Sequence, residues 1–276
     1  MSDAIAMDLA ETLLARLGLN ERPAQSLSGL NALYRAWCKH VPFDNVQKRL
    51  HVQARRTDPL PGGEPTQFFG KYLRHGTGGT CWPTSAALFA LARALGFSVR
   101  RAAGSMLGTP DHNFPNHGTI IAVVENKPYL LDSSMLSEEV LPLVRGEPSA
   151  TADPVYGLRA EPLGDLWTIF WKPGHSRDDI ECRLEHAAVD HDFYLRRYAT
   201  TRAVSLFNTA LYARKNTPEG GIIAIGRGHF ITIGPQNHVS VTPVGGDRDA
   251  LLIERFGFSE EIVACLPEDT AGDTLG

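Results

Sequence analysis

A thiol, an imidazole and a carboxylate stand in the order Cys81, His117, Asp132, and together they are the parts of a Cys-dependent acyl-transfer site. Cys81 follows Gly78-Gly79-Thr80 and opens an apolar stretch. Glycines there remove side-chain bulk in front of a nucleophile, so that a substrate can approach the backbone closely. The stretch reads as a helix from Ser85 to Leu95: Leu88, Leu91, Ala92 and Leu95 recur at helical spacing, and Gly96 stands where a glycine ends a helix. Pro83 fits only the first turn, where its missing N–H breaks no helical hydrogen bond. Cys81 then sits at the positive end of the helix dipole, a position that with a cationic partner brings a thiol to roughly pKa 3.5–7.5. In this chemistry His117 draws the proton from Cys81, and Asp132 fixes the tautomer and steadies the imidazolium.

The other cysteines have no such setting. Cys38 lies on the apolar run from Leu30 through Leu33, Tyr34 and Trp37, and no glycine loop precedes Cys182 or Cys265. The cysteines are isolated, without a C-x-x-C pair, so neither a zinc site nor a disulfide framework is expected, and the reading is of a reduced, cytoplasmic protein. With 276 residues, 43% hydrophobic and 21% charged, the chain is globular and long enough for a substantial core. Its net charge of -4 gives no electrostatic reason to expect nucleic acid or an anionic membrane as partner. No apolar run reaches the ~20 residues of a membrane-spanning helix. Ile5 to Leu17 mixes leucines with Asp8 and Glu11, which is the pattern of an amphipathic helix and not of a secretory signal.

These residues need elements to hold them. Up to about residue 96 the chain has helical periodicity, interrupted by the Pro- and Gly-rich loop from Thr57 to Thr66. Short β-type runs follow at Ser98 to Ala102, Thr119 to Glu125, Tyr129 to Asp132, Leu166 to Trp171 and Glu181 to Glu185, with Asn126-Lys127-Pro128 as a hairpin turn. The last third adds Ile222 to Ile225, Phe230 to Ile233, Val239 to Pro243 and a terminal helix from Ser259 to Leu266 capped by Ser259. An α+β protein with a central antiparallel sheet or barrel is the economical reading.

Val41-Pro42-Phe43-Asp44-Asn45-Val46, Gly78-Gly79-x-Cys81, His117 before an alternating strand, Tyr129-Leu130-Leu131-Asp132, and the stretch from Asp192-Phe193 to Ser205-Leu206-Phe207 occur in a set order. That ordered set, over roughly residues 9 to 255, resembles the arylamine N-acetyltransferases. The resemblance implies a helical bundle over 1–96 carrying the nucleophile, a β-barrel over 97–204 carrying His and Asp, and an α/β lid over 205–276. It also implies transfer of an acyl group, usually acetyl from acetyl-CoA, through a thioester on Cys81 to an arylamine or hydrazine. The acyl-CoA is then a co-substrate, with no bound cofactor and no metal. Phe43, Trp82 and Phe207 match or adjoin the family's pocket positions, where aromatic rings can stack on a substrate.

The chain also departs from the family. Relatives usually read Arg-Gly-Gly-x-Cys-x-Glu-x-Asn, and here Thr77, Pro83 and Ser85 replace Arg, Glu and Asn. Ser133-Ser134-Met135-Leu136 replaces the usual Val-Gly-Phe-Gly after the Asp. Three functions therefore stand side by side: an acyl-CoA N-acyltransferase with an amine acceptor; an offshoot acting on chains bound to an acyl carrier protein, as amide synthase, cyclase or thioesterase; and a catalytically silent binding protein. If Asn126-Lys127 were a two-residue turn, Asp132 would oppose Ile121, about 13 Å along the strand from His117. Three lesser features complete the reading. His112 flanks a loop beside His117, the His186, Asp190, His191, Asp192 cluster reads as a solvated turn before a metal site, and Gly226-Arg227-Gly228 reads as a strand turn before a phosphate loop.

Overall fold

The computed structural model describes residues 4–109, 115–153, 155–173, 176 and 178–269, and His112 lies outside them. Helix α1 spans Met7–Arg16 and α2 Leu27–His40. Ser26 caps α2, its hydroxyl accepting from Gly29 N at 3.2 Å. The two-residue strand β1, Phe43–Asp44, precedes α3 at Val46–Gln53 and α4 at Pro65–His75. Helix α5 runs from Cys81 to Ala94, and every residue from Trp82 to Ala92 is buried. A helix buried on all sides belongs inside a protein, and α5 packs against α4 and α1 in a core that also takes in α2. Gly96 follows it with φ +91°, a conformation glycine adopts freely.

Eight antiparallel strands follow: β2 Ser98–Met106, β3 His117–Val124, β4 Lys127–Leu131, β5 Leu141–Pro142, β6 Ser149–Ala150, β7 Leu158–Leu163, β8 Leu166–Trp171 and β9 Ile180–Val189. Their spatial order is β5-β4-β3-β2-β9-β8-β7-β6. The two ends approach each other where the Ser149 hydroxyl donates to Pro142 O, giving a nearly closed barrel over an apolar interior of Ile121, Leu130, Leu141, Ile169 and Leu184. The architecture is the α+β one, with helices gathered on an antiparallel sheet. Helix α6, His191–Thr200, is capped by Asp190.

The chain then forms a meander of β10 Tyr212–Asn216, β11 Ile222–Gly226, β12 His229–Ile233 and β13 Val239–Pro243, to which β1 adds as the fifth strand, pairing Phe43 with Arg214. The short helices α7, Arg248–Leu251, and α8, Glu260–Val263, close it, with the Ser259 hydroxyl accepting from Ile262 N. The expected terminal helix is thus correct in its cap and shorter at its end. No helix among the described residues is long and apolar enough to cross a membrane.

The β3–β4 hairpin differs from the sequence expectation. The turn is Glu125-Asn126, with φ +50° and +61°, and Val124 pairs with Lys127. Two positive φ values are what a two-residue turn matching strand twist requires. Pro128 is therefore inside β4, opposite Val123, the second pair from the turn, which exchanges no hydrogen bond, so the missing N–H breaks no bond to β3. The register places Leu131 opposite Ile120, so Asp132 follows at the level of Thr119 and only about 7 Å along the strand from His117.

Candidate active site

The loop before Cys81 is held from outside. Gly78 N donates to Asp44 Oδ2 at 2.6 Å, Val46 N donates to Asp44 Oδ1 at 3.0 Å, and Asp44 N donates to Gly79 O at 3.1 Å. A Cβ at Gly78 would lie 1.8 Å from Pro42 O. The close approach that Gly78 permits is thus to the chain's own backbone and not to a substrate, which corrects the reading of that glycine. Burial pushes the Asp44 carboxyl up to about 7, against the pull of its two backbone N–H partners.

Cys81 begins α5, at the end where the first-turn N–H groups point outward, and its thiol lies 3.7 Å from Asn116 O. His117 begins β3, one residue on. Its Nε2 is 2.7 Å from Asp132 Oδ2. Burial opposes a charge on the ring, but the Asp132 carboxylate and its hydrogen bond, helped by the neighbouring Cys182 and Cys81 side chains, outweigh it and hold the imidazole well above its usual pKa of 6.5. For Asp132 burial likewise opposes the charge. His117 and the N–H groups of Met135 and Ser134, both 2.9 Å from Oδ1, prevail and keep it below the usual carboxylate range. Tyr34 fixes the main chain here: its hydroxyl donates to Asp132 O at 2.7 Å and accepts from Asp132 N at 3.2 Å. In the sequence Tyr34 is one more apolar residue of α2, and nothing in its spacing marks this clamp.

Two of the departures from the family meet in space. Ser85 Oγ donates to Gly118 O at 2.8 Å and lies 2.9 Å from Ser133 Oγ, which donates in turn to Thr84 Oγ1 at 2.9 Å. This buried hydroxyl chain ties α5 to the residues that follow His117 and Asp132. Thr77 accepts from Gln47 Nε2 at 3.2 Å. Trp82 packs edge-on against Tyr194 with centroids 4.9 Å apart, and a Cβ at Gly118 would lie 2.6 Å from its ring. It spaces β3 from α5 and also reaches the cavity wall.

Cys81 and His117 open on a cavity of about 1200 Å³. Phe43, Phe207 and Tyr212 form an aromatic cluster on its wall, with Phe43 and Phe207 edge-on at 5.2 Å. Trp171, Tyr156 and Met106 line it as well, residues that sequence reasoning left unassigned. Among the described residues no Asp or Glu lines it, whereas Lys48, Lys172 and Arg227 do. Arg227-Gly228 form the β11–β12 turn with φ +51° and +70°. In the His186 to Asp192 cluster, Asp190 caps α6 and His191 Nε2 lies 3.4 Å from Glu64. Among the described residues no group of three or more His, Cys, Asp or Glu side chains is arranged to hold a metal ion. Cys38 and Cys182 are buried, with thiols pushed up to about 12 by burial, and Cys265 is exposed.

Residues 26–259 match a family model described as N-acetyltransferase. An arylamine N-acetyltransferase of Mycolicibacterium smegmatis is 27% identical over 164 residues, which take in 57% of this chain and 56% of that protein. The matched stretch thus spans little over half the length of that curated relative. The fold is similar to solved arylamine N-acetyltransferases from Mycobacterium abscessus (TM-score 0.76, 18% identity, 95% of this chain and 93% of that one) and Salmonella typhimurium (0.76, 20%, 97% and 95%). It is also similar to the Mycobacterium marinum protein in complex with CoA (0.75, 18%, 93% and 94%).

Proposed function

The chain belongs to the arylamine N-acetyltransferase family, and from that premise we propose that it moves an acetyl group from acetyl-CoA, through a thioester on Cys81, to an amine. Cys81 is the nucleophile, His117 the proton carrier and Asp132 its orienting partner. His117 Nε2 is committed to Asp132, which leaves Nδ1 to exchange a proton with the thiol. The Cys81 sulfur attacks the thioester carbonyl, the acyl–sulfur bond of the donor breaks, and CoA leaves with the proton held on His117. An amine nitrogen then attacks the acyl-Cys81 carbonyl and passes its proton to His117, and the Cys81 sulfur departs. Asp132 stays ionised throughout and steadies the imidazolium. The observation that supports this most is the 2.7 Å His117–Asp132 pair, on a ring that opens with Cys81 onto one cavity.

In the same reading, residues 1–96 carry the nucleophile, 97–204 carry its base, and 205–276 cover the site. Phe43 and Phe207 stack on the acceptor, and Trp82 lines the same cavity beside the nucleophile. The test is intact-mass spectrometry after incubation with acetyl-CoA. One acetyl mass added to the native chain and none to Cys81→Ala is expected; an unmodified native chain overturns the reading. A second reading, a larger acyl chain delivered by CoA or by a carrier protein, draws support from Ser134 and Met135 at the wall of a cavity of this size. Higher kcat/KM with longer acyl-CoAs or acyl carrier proteins than with acetyl-CoA would favour it.

A further inference from the structure

The peptide that joins Asn116 to His117 has a reacting group at either end. Its carbonyl oxygen, Asn116 O, accepts from the Cys81 thiol at 3.7 Å, and its nitrogen begins the residue whose ring pairs with Asp132. A turn of this peptide therefore displaces the thiol's acceptor and the imidazole together. Its setting depends on what holds Asn116, whose own N–H donates to Gly104 O at 3.0 Å.

The side chain of Asn116 does the rest. Leu107 N donates to Glu181 O of β9 at 2.8 Å, and successive residues of a strand turn their main-chain groups to opposite sides, so Met106 turns its own toward β3. There β3 begins only at His117, and Pro115 has no N–H to offer. The Asn116 amide stands in for a strand. Met106 N donates to Asn116 Oδ1 at 2.7 Å, and Asn116 Nδ2 donates to Met106 O at 3.3 Å and to Thr109 Oγ1 at 2.8 Å. Thr109 Oγ1 donates in turn to Met106 O at 2.8 Å. An amide carries both the acceptor and the donor that Met106 needs, which leucine, of similar size, lacks. From the other side Arg197 Nε of α6 donates to Pro115 O at 2.7 Å.

Met106, Leu107, Gly108 and Thr109 line the cavity together with Asn116 and His117. One side chain thus fastens a stretch of cavity wall to the peptide beside the reacting centre. We infer that Asn116 is a positioning residue of the transfer: its amide, locked on Met106 and Thr109, sets the Asn116–His117 peptide and through it the placing of the Cys81 thiol against its proton carrier. This rests on Cys81 being the acylated thiol and His117 its base. Such a brace acts on rate more than on binding, because a misplacement of about 1 Å at a reacting centre can cost ~10²-fold.

Single-turnover acylation over a range of acetyl-CoA concentrations tests it. Asn116→Leu should keep the native circular dichroism and lower the saturating rate by ~10–10²-fold, while the half-saturating concentration hardly moves. Thr109→Val removes one hydroxyl from the brace and should lower the saturating rate by less. The two losses should not multiply in the double variant, because Thr109 acts through Asn116. A native saturating rate in Asn116→Leu, or a change confined to half-saturation, overturns the inference while acetyl loading of Cys81 stands. Where Asn116→Leu does not fold, Thr109→Val carries the test, and an unchanged saturating rate there overturns the inference equally.

The thiol is also read without any transfer. On a chain that never loads acetyl, a Cys81 labelling rate with iodoacetamide that differs several-fold between Asn116→Leu and the native chain keeps Asn116 as the group that places the thiol and removes the transfer reading. Equal labelling rates on such a chain overturn both.

Discussion

Asp132 and Arg214 both touch Ser134, and the protein treats the two buried charges in opposite ways. Asp132 accepts from His117 and from two backbone N–H groups, and Tyr34 pins its main chain from both sides. Arg214 makes one hydrogen bond and leaves its fork open. A saturated charge is fixed in place before any ligand arrives, as an orienting group must be. An unsaturated one is destabilising where it stands. The difference separates a charge fixed for chemistry from one that the fold leaves unsatisfied.

The most severe way to break this comparison is to remove the proton carrier. Cys81→Ala should abolish acyl loading. His117→Ala and Asp132→Asn should slow single-turnover acylation by ~10²–10⁴-fold while circular dichroism stays native. An unchanged rate in His117→Ala would remove it from the mechanism.

Stability should then separate the two charges by sign. Asp132→Ala leaves the imidazole buried without its partner and should cost about 3–5 kcal/mol in urea unfolding, whereas Arg214→Met should be neutral or stabilising by about 1–4 kcal/mol. A large loss in Arg214→Met would show that its charge is structurally satisfied and would undo the contrast.

The pH dependence sharpens the same point. His117 is held above its unfolded value of 6.5, so its contribution is full below pH 6.5 and is lost as pH rises through the higher folded value. Asp132 is held below 3.8, so its contribution is full above that pH and is lost as pH falls through the lower folded value. Asp44 runs the other way: raised to about 7, its carboxyl favours the fold below pH 3.8, and that contribution fades as pH rises through 7. Melting curves across pH 5–10 should lose an alkaline slope in His117→Ala, and those across pH 4–8 should flatten in Asp44→Asn. Unaltered slopes would contradict the assignments.

The smallest expected effect is at the hydroxyl chain. Ser85→Ala leaves Gly118 O short of a donor and should cost about 1–3 kcal/mol, the desolvation penalty of a buried unsatisfied group. Ser133→Ala added to it should cost less than the two single changes together, since both interrupt one network.

Much of this was legible in the sequence where local chemistry decides structure. Pro83 and Gly96 bracket α5 because each has one favourable place in a helix, and Leu166–Trp171 and Val239–Pro243 emerged with the expected bounds. Strand β7 was not legible, since Leu-Arg-Ala-Glu-Pro-Leu carries two charges and a proline, and only its pairing with β8 makes it a strand. Strand β10 escaped for the same reason: Tyr-Ala-Arg-Lys-Asn reads as polar loop, yet Ala213, Arg214 and Asn216 are buried by their neighbours. The β3–β4 register was misplaced because Pro128 reads as turn punctuation, and the true turn depends on positive φ at Glu125 and Asn126. Of the site, Cys81, His117 and Asp132 stood out by type and order. Tyr34 did not, because what distinguishes it is which groups surround it.

Strand β1 has a consequence for how the chain is made. Asp44 grips the loop before Cys81, and β1 itself is paired through Phe43 and Asp44 to Arg214 and Ala213 of β10, far along the chain. Contacts so distant in sequence close late and slowly, after the local helices have formed. A nascent chain ending before β10 therefore contains Cys81, His117 and Asp132, but the strand that supports the nucleophile's loop has no neighbour on its outer edge. Synthesis thus delivers all three reactive side chains well before it delivers their support, and a reactive thiol is set in place only when nearly the whole polypeptide has emerged.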